Sequence, residues 1–319
     1  MRLIDMHCDT IWMLMREKDT NLKNNRFCVD VEKLKNVGSM AQFFACFIYM
    51  DEITGEDRYD RGYQLALDMI ERGKRAFAEC SNDITLGLSY DEVVKNHANN
   101  KISAILTIEE GGILNNDMSR FYELYNQGIR LMTLTWNHEN CIGYPNSKDE
   151  AIMQKGLKPF GVEVVKKMNE LGMIIDVSHL SDGGFWDVLK YSKKPIVASH
   201  SNARRLCVHP RNLSDEMIKA LAEKGGIAGV NLYPYFINKN GKATVEDIAN
   251  HVWHMFQTGG EDFVAVGTDF DGFDEGELDI AHIGEMEQLY DAVKKRGFSE
   301  RQMEKFWSGN AMRVMRQVL

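Results

Sequence analysis

Residues 173–200 read MIIDVSHLSDGGFWDVLKYSKKPIVASH and contain the unit from which the fold can be predicted. The apolar runs 173–177 and 195–199 are typical of buried strands, and the stretch between them is long enough for a helix that returns the chain to a parallel neighbour. A serine and a histidine stand where each run ends, as Ser178-His179 and Ser199-His200. Such a unit predicts an alternating β/α chain with a mainly parallel sheet.

The same pattern recurs along the chain and predicts eight strands. They are residues 3–6, 42–48, 103–108, 131–135, 173–177, 195–199, 226–231 and 263–267. Eight parallel strands that alternate with helices favour a (β/α)8 TIM barrel over a doubly wound sheet. The first run is not followed by a glycine-rich phosphate loop, which weakens the nucleotide-binding alternative. We expect a single barrel domain over residues 1–319, with insertions in the early βα loops.

Composition and charge exclude several classes of partner. The chain has 38 basic and 47 acidic residues, a net charge of −9, which disfavours binding to nucleic acid or to an anionic membrane. Its six cysteines include no CxxC pair, as expected for thiols in a reducing cytosol. Asp5 and Asp9 fall where a secretion signal would be apolar. We therefore expect a cytoplasmic protein that does not bind membranes.

Side chains that can bind a metal or exchange a proton follow several of the predicted strands. They are His7, Asp9, Glu109, Glu110, His179, His200 and Asp269. In a TIM barrel the carboxyl ends of all strands open onto one face, so these side chains are expected to converge. Three histidines, an aspartate and a glutamate suffice for two metal ions that share a carboxylate, hold a hydroxide nucleophile and polarise a carbonyl oxygen.

Glu109 and Glu110 alternate in facing on an extended chain, so only one of them can point into the barrel. Gly111 and Gly112 follow Glu110 and permit close backbone approach there. We predict that Glu110 bridges the two ions and that Glu109 faces a helix or supports the site. Asp269, at the end of the last predicted strand, is expected to relay protons as a carboxylate.

Six short segments, in this order, resemble the membrane (renal) dipeptidase family of metallopeptidases, members of the amidohydrolase superfamily. They are HCD (7–9), IEEGG (108–112), DVSH (176–179), ASHS (198–201), HPRN (209–212) and VGTDFDG (266–272). The resemblance continues to residues 309–313 and so covers essentially the whole chain. It implies a (β/α)8 barrel with a binuclear zinc centre that hydrolyses dipeptides, including those with a D-residue at the C-terminal position. Other divalent metals also suit histidine and carboxylate ligands.

Carried over residue by residue, the resemblance assigns the individual roles. It implies that His7 and Asp9 bind one zinc ion, that His179 and His200 bind the other, and that Glu110 bridges both. Asp269 matches the family's catalytic aspartate, which handles the proton passed to the leaving amine. Arg211 matches the arginine that binds the substrate carboxylate, a role for which a guanidinium is well suited.

The sequence departs from the family after the fourth predicted strand. There the family often has a histidine that contacts substrate, whereas residues 134–138 read LTWNH and Trp136 stands in that place. Asn137 or His138 could assist at the scissile carbonyl. Tyr233, after the seventh strand, either lines the mouth of the pocket or packs structurally.

The resemblance leaves two further functions open, and also leaves open a homodimer, because relatives are often dimers. One alternative is a related amidohydrolase that acts on another amide, such as an acylated amino acid. The other is a barrel that binds a ligand without turnover.

Overall fold

The computed structural model describes residues 2–17 and 19–319. Its strands are β1 (Leu3–Cys8), β2 (Ser39–Phe47), β3 (Ile84–Leu86), β4 (Ile102–Glu109), β5 (Ile129–Thr133), β6 (Ile174–Asp176), β7 (Val197–Ala198), β8 (Ile227–Val230), β9 (Lys242–Ala243), β10 (Val264–Val266) and β11 (Glu277–Leu278).

Eight of these strands close into a parallel barrel. Their order is β1-β2-β4-β5-β6-β7-β8-β10, and β10 pairs again with β1. β3 pairs with β4 as an additional strand, and β9 pairs with β11 in a separate two-stranded sheet. Each predicted strand corresponds to one strand of the ring, so the predicted TIM barrel is confirmed.

Helices connect the strands. They are α1 (Thr10–Arg16), α2 (Val31–Asn36), α3 (Arg58–Glu79), α4 (Tyr90–Ala98), α5 (Met118–Asn126), α6 (Glu150–Met153), α7 (Pro159–Leu171), α8 (Asp182–Tyr191), α9 (Asp215–Glu223), α10 (Pro234–Ile237), α11 (Val245–Gly259), α12 (Glu287–Lys295), α13 (Glu300–Glu304) and α14 (Asn310–Val318). Two helices lie between β1 and β2, and α3, β3 and α4 lie between β2 and β4. Additional elements thus occur in the early loops and also later in the chain, where α10 and β9 precede α11 between β8 and β10.

The inside of the barrel is apolar at one end and polar at the other. An apolar cluster takes at least one residue from each of the eight barrel strands, among them Ile105 of β4 and Ile174 of β6, and α14 packs against it. Because side chains alternate along a strand, the residue two positions further on points to the same side. Two positions after Ile105 on β4 comes Thr107, and two positions after Ile174 on β6 comes Asp176, so both strands become polar towards their carboxyl ends. The polar end is the carboxyl end of the strands.

A larger apolar cluster lies between the strands and the helices that surround them. Among the residues that the structure describes, no helix combines the length and the apolar character needed to cross a bilayer.

Candidate metal centre and active site

Glu109 lies among three histidine side chains at the carboxyl end of the barrel. Its Oε2 is 3.2 Å from Nε2 of His7, and its Oε1 is 3.0 Å from Nε2 of His179 and 3.6 Å from Nε2 of His200. The rings of His7 and His200 are 3.9 Å apart, centroid to centroid. All four side chains are buried. The fold thus brings together histidines that are separated by up to 193 positions, since 200 − 7 = 193.

Glu110 does not lie among these histidines, and its predicted bridging position is wrong. β4 ends at Glu109, and Glu110 has a φ of 105°, in the left-handed region. The side chain of Glu110 instead accepts hydrogen bonds from the backbone of the following loops, at 2.7 Å from Gly112 N and 3.0 Å from Trp136 N. A Cβ at Gly112 would lie 2.2 Å from Glu110 Oε1. The glycine therefore makes room for a loop contact and not for a metal ligand.

Asp9 and Asp269 bring two further carboxylates to His7. Oδ2 of Asp9 is 3.4 Å and Oδ1 of Asp269 is 3.7 Å from Nε2 of His7. Oδ2 of Asp269 accepts a hydrogen bond from Asn231 Nδ2 at 2.8 Å, which fixes the orientation of this carboxylate. The structure thus places both predicted aspartates beside a predicted histidine.

The first strand reaches this arrangement through an irregularity that spacing alone does not predict. Asp5 pairs with Gln42 of β2, but Cys8 pairs with Phe44, so β1 holds one additional residue between these pairs. Asp9 has left the strand and is the N-cap residue of α1. His7 and Asp9 therefore lie close together without being two residues of one regular extended strand.

Burial and neighbouring charges shift the pKa values of the two aspartates upward. Burial raises the pKa of Asp9 to about 8 and that of Asp269 to about 6, and repulsion from Glu109 adds to both shifts while His7 opposes them. Burial also acts against a charge on Glu109, but the attraction of His7 opposes it and holds the pKa of Glu109 below its usual range. Glu109 is thus the carboxylate that stays ionised most readily.

The histidines divide into one that favours its charged form and two that stay neutral. Burial disfavours the charge on His7, yet Glu109 and Asp9 raise its pKa well above the usual value. Burial lowers the pKa of His179 to about 4 and that of His200 well below its usual value. Neutral imidazole is the form that binds a metal ion.

His200 is oriented by hydrogen bonds that run through Ser199 to Asp176. Ser199 Oγ donates to Asp176 Oδ2 at 2.6 Å and lies 2.7 Å from His200 Nδ1. Since the single hydroxyl proton points to Asp176, Ser199 accepts the proton of Nδ1, and Nε2 of His200 is left with a free lone pair. Asp176 is fully buried and also accepts from the backbone N–H groups of Ser178 and Ser199.

Asn137 orients His179 in the same way. Its Oδ1 lies 3.1 Å from His179 Nδ1, which assigns the proton of that ring to Nδ1. The Nε2 atoms of His179 and His200 are 3.1 Å apart, so two lone pairs face each other beside Glu109 Oε1. Such an arrangement is repulsive unless a cation lies between the donor atoms.

These donors fit a divalent metal ion. The ligand atoms of His7, Glu109 and His200 lie within 4.8 Å of one another, and so do those of His7, Asp9 and Asp269. Both ring nitrogens of His7 and Oδ1 of Asp9 are buried without a hydrogen-bond partner among the described residues. Buried polar atoms of this kind need a partner, and imidazole and carboxylate groups are ligands of zinc and similar ions.

Glycines on two other strands make room for Ser199. A Cβ at Gly229 would lie 2.0 Å from the carbonyl oxygen of Ser199, and a Cβ at Gly267 would lie 1.8 Å from it. Any side chain at either position would displace the end of β7. Gly267, in the VGTDFDG segment, is therefore needed for the position of His200 as well as for the strand that carries Asp269.

A cavity of about 690 Å³ opens at these residues, and Asp9, Glu109, His179 and Asp269 line it. Two separate groups of aromatic side chains also line it. One group, called the aromatic wall below, consists of Trp12, Phe47, Tyr49 and Trp136; the other consists of Tyr233, Phe236 and Phe273. The structure thus places the predicted residues Trp136, Asn137 and Tyr233 at the cavity, whereas Nε2 of His138 lies 2.8 Å from Oδ1 of Asp51.

Arg211 is buried next to this cavity. Its Nη1 donates to Ser201 Oγ at 3.3 Å and its Nη2 donates to the carbonyl oxygen of His200 at 3.2 Å. The guanidinium carbon lies 5.3 Å from the centroid of the Phe236 ring. Burial lowers the pKa of Arg211, while Asp269 and Glu109 favour its charged form. The guanidinium of Arg211 is therefore held between His200 and the second aromatic group.

Sequence reasoning misses Glu109 as the central carboxylate, and it assigns no role to Asp176, Ser199 or Asn231. Strand alternation contains a usable signal for Glu109. Counting in steps of two from the interior residue Ile105 leads through Thr107 to Glu109 and excludes Glu110.

A sequence model of the membrane dipeptidase family, peptidase family M19, matches residues 1–319. The chain belongs to this family. It is accordingly a metallo-dipeptidase, and M19 membership implies a metal cofactor, in agreement with the donor atoms described above. The resemblance seen in the six short segments is confirmed.

M19 relatives and solved structures cover most of the chain. An uncharacterized dipeptidase of Schizosaccharomyces pombe is 28% identical over 337 residues, which cover 99% of this chain and 80% of that protein. Dipeptidase tcpJ of Claviceps purpurea is 28% identical over 299 residues, which cover 91% of this chain and 69% of that protein. A metallopeptidase from Rhodobacter sphaeroides, liganded with a phosphinate mimic of the dipeptide L-Ala-D-Ala, has a TM-score of 0.89 at 23% identity and covers 100% of this chain and 99% of its own. At this identity the likeness shows a shared fold.

Proposed function

We propose that this M19 dipeptidase hydrolyses small dipeptides with a free C-terminal carboxylate, and that two zinc ions are its cofactor. The observation that carries this proposal is the position of Glu109, whose two carboxylate oxygens face different histidines at 3.2 and 3.0 Å. The residues that would hold the ions are His7, Asp9, Glu109, His179 and His200. Zinc ions that share a carboxylate supply a hydroxide nucleophile at neutral pH and polarise the carbonyl oxygen under attack.

Asp269 is the residue that takes up and passes on the proton. It lines the cavity, and its Oδ2 is held by Asn231 at 2.8 Å, so the carboxylate is already oriented before substrate binds. A carboxylate whose pKa lies near neutrality is suited both to accept a proton and to donate it to the departing amine.

Arg211 binds the C-terminal carboxylate of the dipeptide. A buried guanidinium beside His200 offers a charge-assisted hydrogen bond in a site with little water, where such a bond is strongest. Tolerance of a D-residue at the C-terminal position is proposed by analogy with the Rhodobacter sphaeroides enzyme and its L-Ala-D-Ala mimic.

The test combines metal analysis with a substrate panel. Purified enzyme is stripped with a chelator and reloaded with increasing amounts of zinc, and hydrolysis of L-Ala-L-Ala and L-Ala-D-Ala is measured at each step. We expect activity to disappear on stripping and to return at two zinc ions per chain. Full activity after verified metal removal would refute the metal-dependent mechanism.

The same panel includes the C-terminal amides of both dipeptides and a set of N-acetyl amino acids. The amides are expected to be poor substrates because they lack the charge that Arg211 binds. Faster turnover of N-acetyl amino acids than of dipeptides would favour the alternative of an amidohydrolase for another amide.

A further inference from the structure

The rings of the aromatic wall contact one another edge to face. Trp136 is at its centre, with ring centroids 5.1 Å from Phe47 and 5.3 Å from Tyr49, at interplanar angles of 63° and 84°. Trp12 extends the wall, 5.9 Å from Phe47 at 65°. Edge-to-face contacts of this kind are the arrangement that aromatic rings prefer, so the wall requires no rearrangement to receive a further ring.

The wall begins directly beside a metal ligand. The centroid of the Trp136 ring lies 6.3 Å from that of His179. The backbone of Trp136 is fixed as well, because its N–H donates to the buried carboxylate of Glu110 at 3.0 Å. A side chain attached next to a carbonyl at the metal centre therefore lies within reach of these rings.

Two carboxylates at the rim of the wall each lie within hydrogen-bond distance of a neighbouring side chain. Asp51 binds His138 at 2.8 Å, and Glu52 binds Arg16 at 3.2 Å. The guanidinium of Arg16 also lies 4.6 Å from the centroid of the Trp12 ring, where it occupies the position that a cationic substrate would take. The wall itself therefore offers mainly aromatic surface, and the further acidic residues of the cavity, Asp274 and Glu275, follow Phe273 of the second aromatic group.

The position of Arg211 decides which end of a dipeptide meets the wall. Its guanidinium lies against Phe236, which belongs to the second aromatic group. If the C-terminal carboxylate of a dipeptide binds to Arg211, the C-terminal residue lies beside the second aromatic group. The side chain of the N-terminal residue then falls on the side of His179 and Trp136.

We propose that the aromatic wall binds the side chain of the substrate's N-terminal residue and selects large aromatic side chains there. The proposal rests on dipeptide hydrolysis as proposed above and specifies its substrate class. A cavity of about 690 Å³ lies well within the range for sites that enclose drug-sized ligands, and it exceeds what two alanine residues fill. Trp136, which stands where the family often has a histidine, is the residue that gives this chain its selectivity.

The test measures kcat/KM for dipeptides X-Ala, with X as Gly, Ala, Leu, Phe, Trp and Lys, in both the L,L and L,D forms. For the zinc-loaded enzyme we expect Phe-Ala to exceed Ala-Ala by about ten-fold or more, the usual discrimination of an apolar pocket. Trp136→Ala should lower the ratio of kcat/KM for Phe-Ala to kcat/KM for Ala-Ala below about three-fold. Trp136→Phe should retain most of the wild-type ratio. Because both substrates are measured on one preparation, partial unfolding of a variant does not change the ratio.

Trp186→Ala is the matched control, since Trp186 is an exposed tryptophan on α8 outside the cavity. It is expected to keep the wild-type ratio. A ratio that Trp136→Ala leaves unchanged, or a preference for Lys over Phe, would overturn the selectivity proposal while dipeptide hydrolysis stands. Absence of hydrolysis for every dipeptide would overturn both.

Discussion

Glu109 and Glu110 are consecutive residues whose carboxylates lie in separate networks. Oε1 of Glu109 is 3.0 Å from Nε2 of His179, whereas Oε1 of Glu110 accepts a hydrogen bond from Gly112 N at 2.7 Å. The change occurs within one residue because Glu110 adopts a positive φ where β4 ends. The two glutamates therefore provide a matched pair in which metal binding and loop stability can be separated.

Glu109→Gln is expected to lower the bound metal below two ions per chain and to reduce kcat/KM by at least about 100-fold, because a neutral amide replaces the carboxylate between the histidines. Glu110→Gln is expected to keep its metal and to lower the free energy of unfolding by about 1–3 kcal/mol, because one of the backbone donors is left unpaired. Elemental analysis and chemical denaturation measure the two effects. Loss of metal in Glu110→Gln alone would show that the assignment of Glu109 is wrong.

Ser199→Ala is expected to weaken metal binding by about 10–100-fold, because nothing then holds the proton of His200 on Nδ1. Competition with a chromogenic chelator measures the affinity. Ser192→Ala is the control, since Ser192 is also a buried serine but its hydroxyl bonds to Lys194 O at 2.8 Å at the end of α8. Equal affinities of the two variants would argue against the hydrogen-bond chain to Asp176.

Arg211→Met is expected to raise KM for free dipeptides by about 10–100-fold, which is the usual worth of a hydrogen bond to a charged group. The C-terminal amides should be affected much less, so the preference for a free carboxylate should largely disappear. Metal content must be measured in parallel, because Arg211 also donates to the carbonyl oxygen of His200. An unchanged preference in a fully loaded variant would remove Arg211 from substrate binding.

His251 on α11 predicts a loss of stability in acid. Its Nδ1 accepts from Ala203 N at 3.2 Å and its Nε2 lies 3.1 Å from Ile237 O, so the ring is neutral, and burial lowers its pKa to about 4. Since this pKa lies below the unfolded value of about 6.5, the stabilisation is complete above pH 6.5 and is lost as the pH falls through 4. The full difference amounts to about 3 kcal/mol.

Denaturation of the zinc-loaded protein between pH 7 and pH 4 checks this prediction. At pH 7 the free energy of unfolding of His251→Gln should be lower than that of the wild type. The difference between the two should become smaller as the pH falls. His254→Gln, on the same helix, is expected to keep the wild-type loss in acid. A gap between wild type and His251→Gln that stays constant with pH would contradict the prediction.

The barrel strands could be predicted because each is a buried apolar run bounded by polar residues. β9 and β11 each consist of one charged and one apolar residue and lie outside any apolar run, so the sequence pattern does not reveal them. Likewise the positions of His179 and His200 at strand ends were sufficient to predict their convergence.

Residue spacing was sufficient to choose Glu109 over Glu110, but the contact of the Glu110 side chain with Gly112 depended on a positive backbone angle that spacing does not encode. The approach of His7 to Asp9 depended on an additional residue in β1 and on a helix that starts after Asp9. The burial of Arg211 depends on how its loop packs against Phe236. Each of these is settled by tertiary packing and not by local preference.

The ring closes where β1 meets β10, and the metal centre straddles this seam. The N–H of Asp269 donates to the carbonyl oxygen of His7 at 3.1 Å, which joins the segment of the proposed proton relay to that of a proposed metal ligand. β10 precedes Asp269 directly, so the strand that closes the barrel and the residue proposed to carry the proton come from the same segment of the chain. A chain cut off before β10 would lose both the closing strand and the proposed proton relay, and we expect it to be inactive.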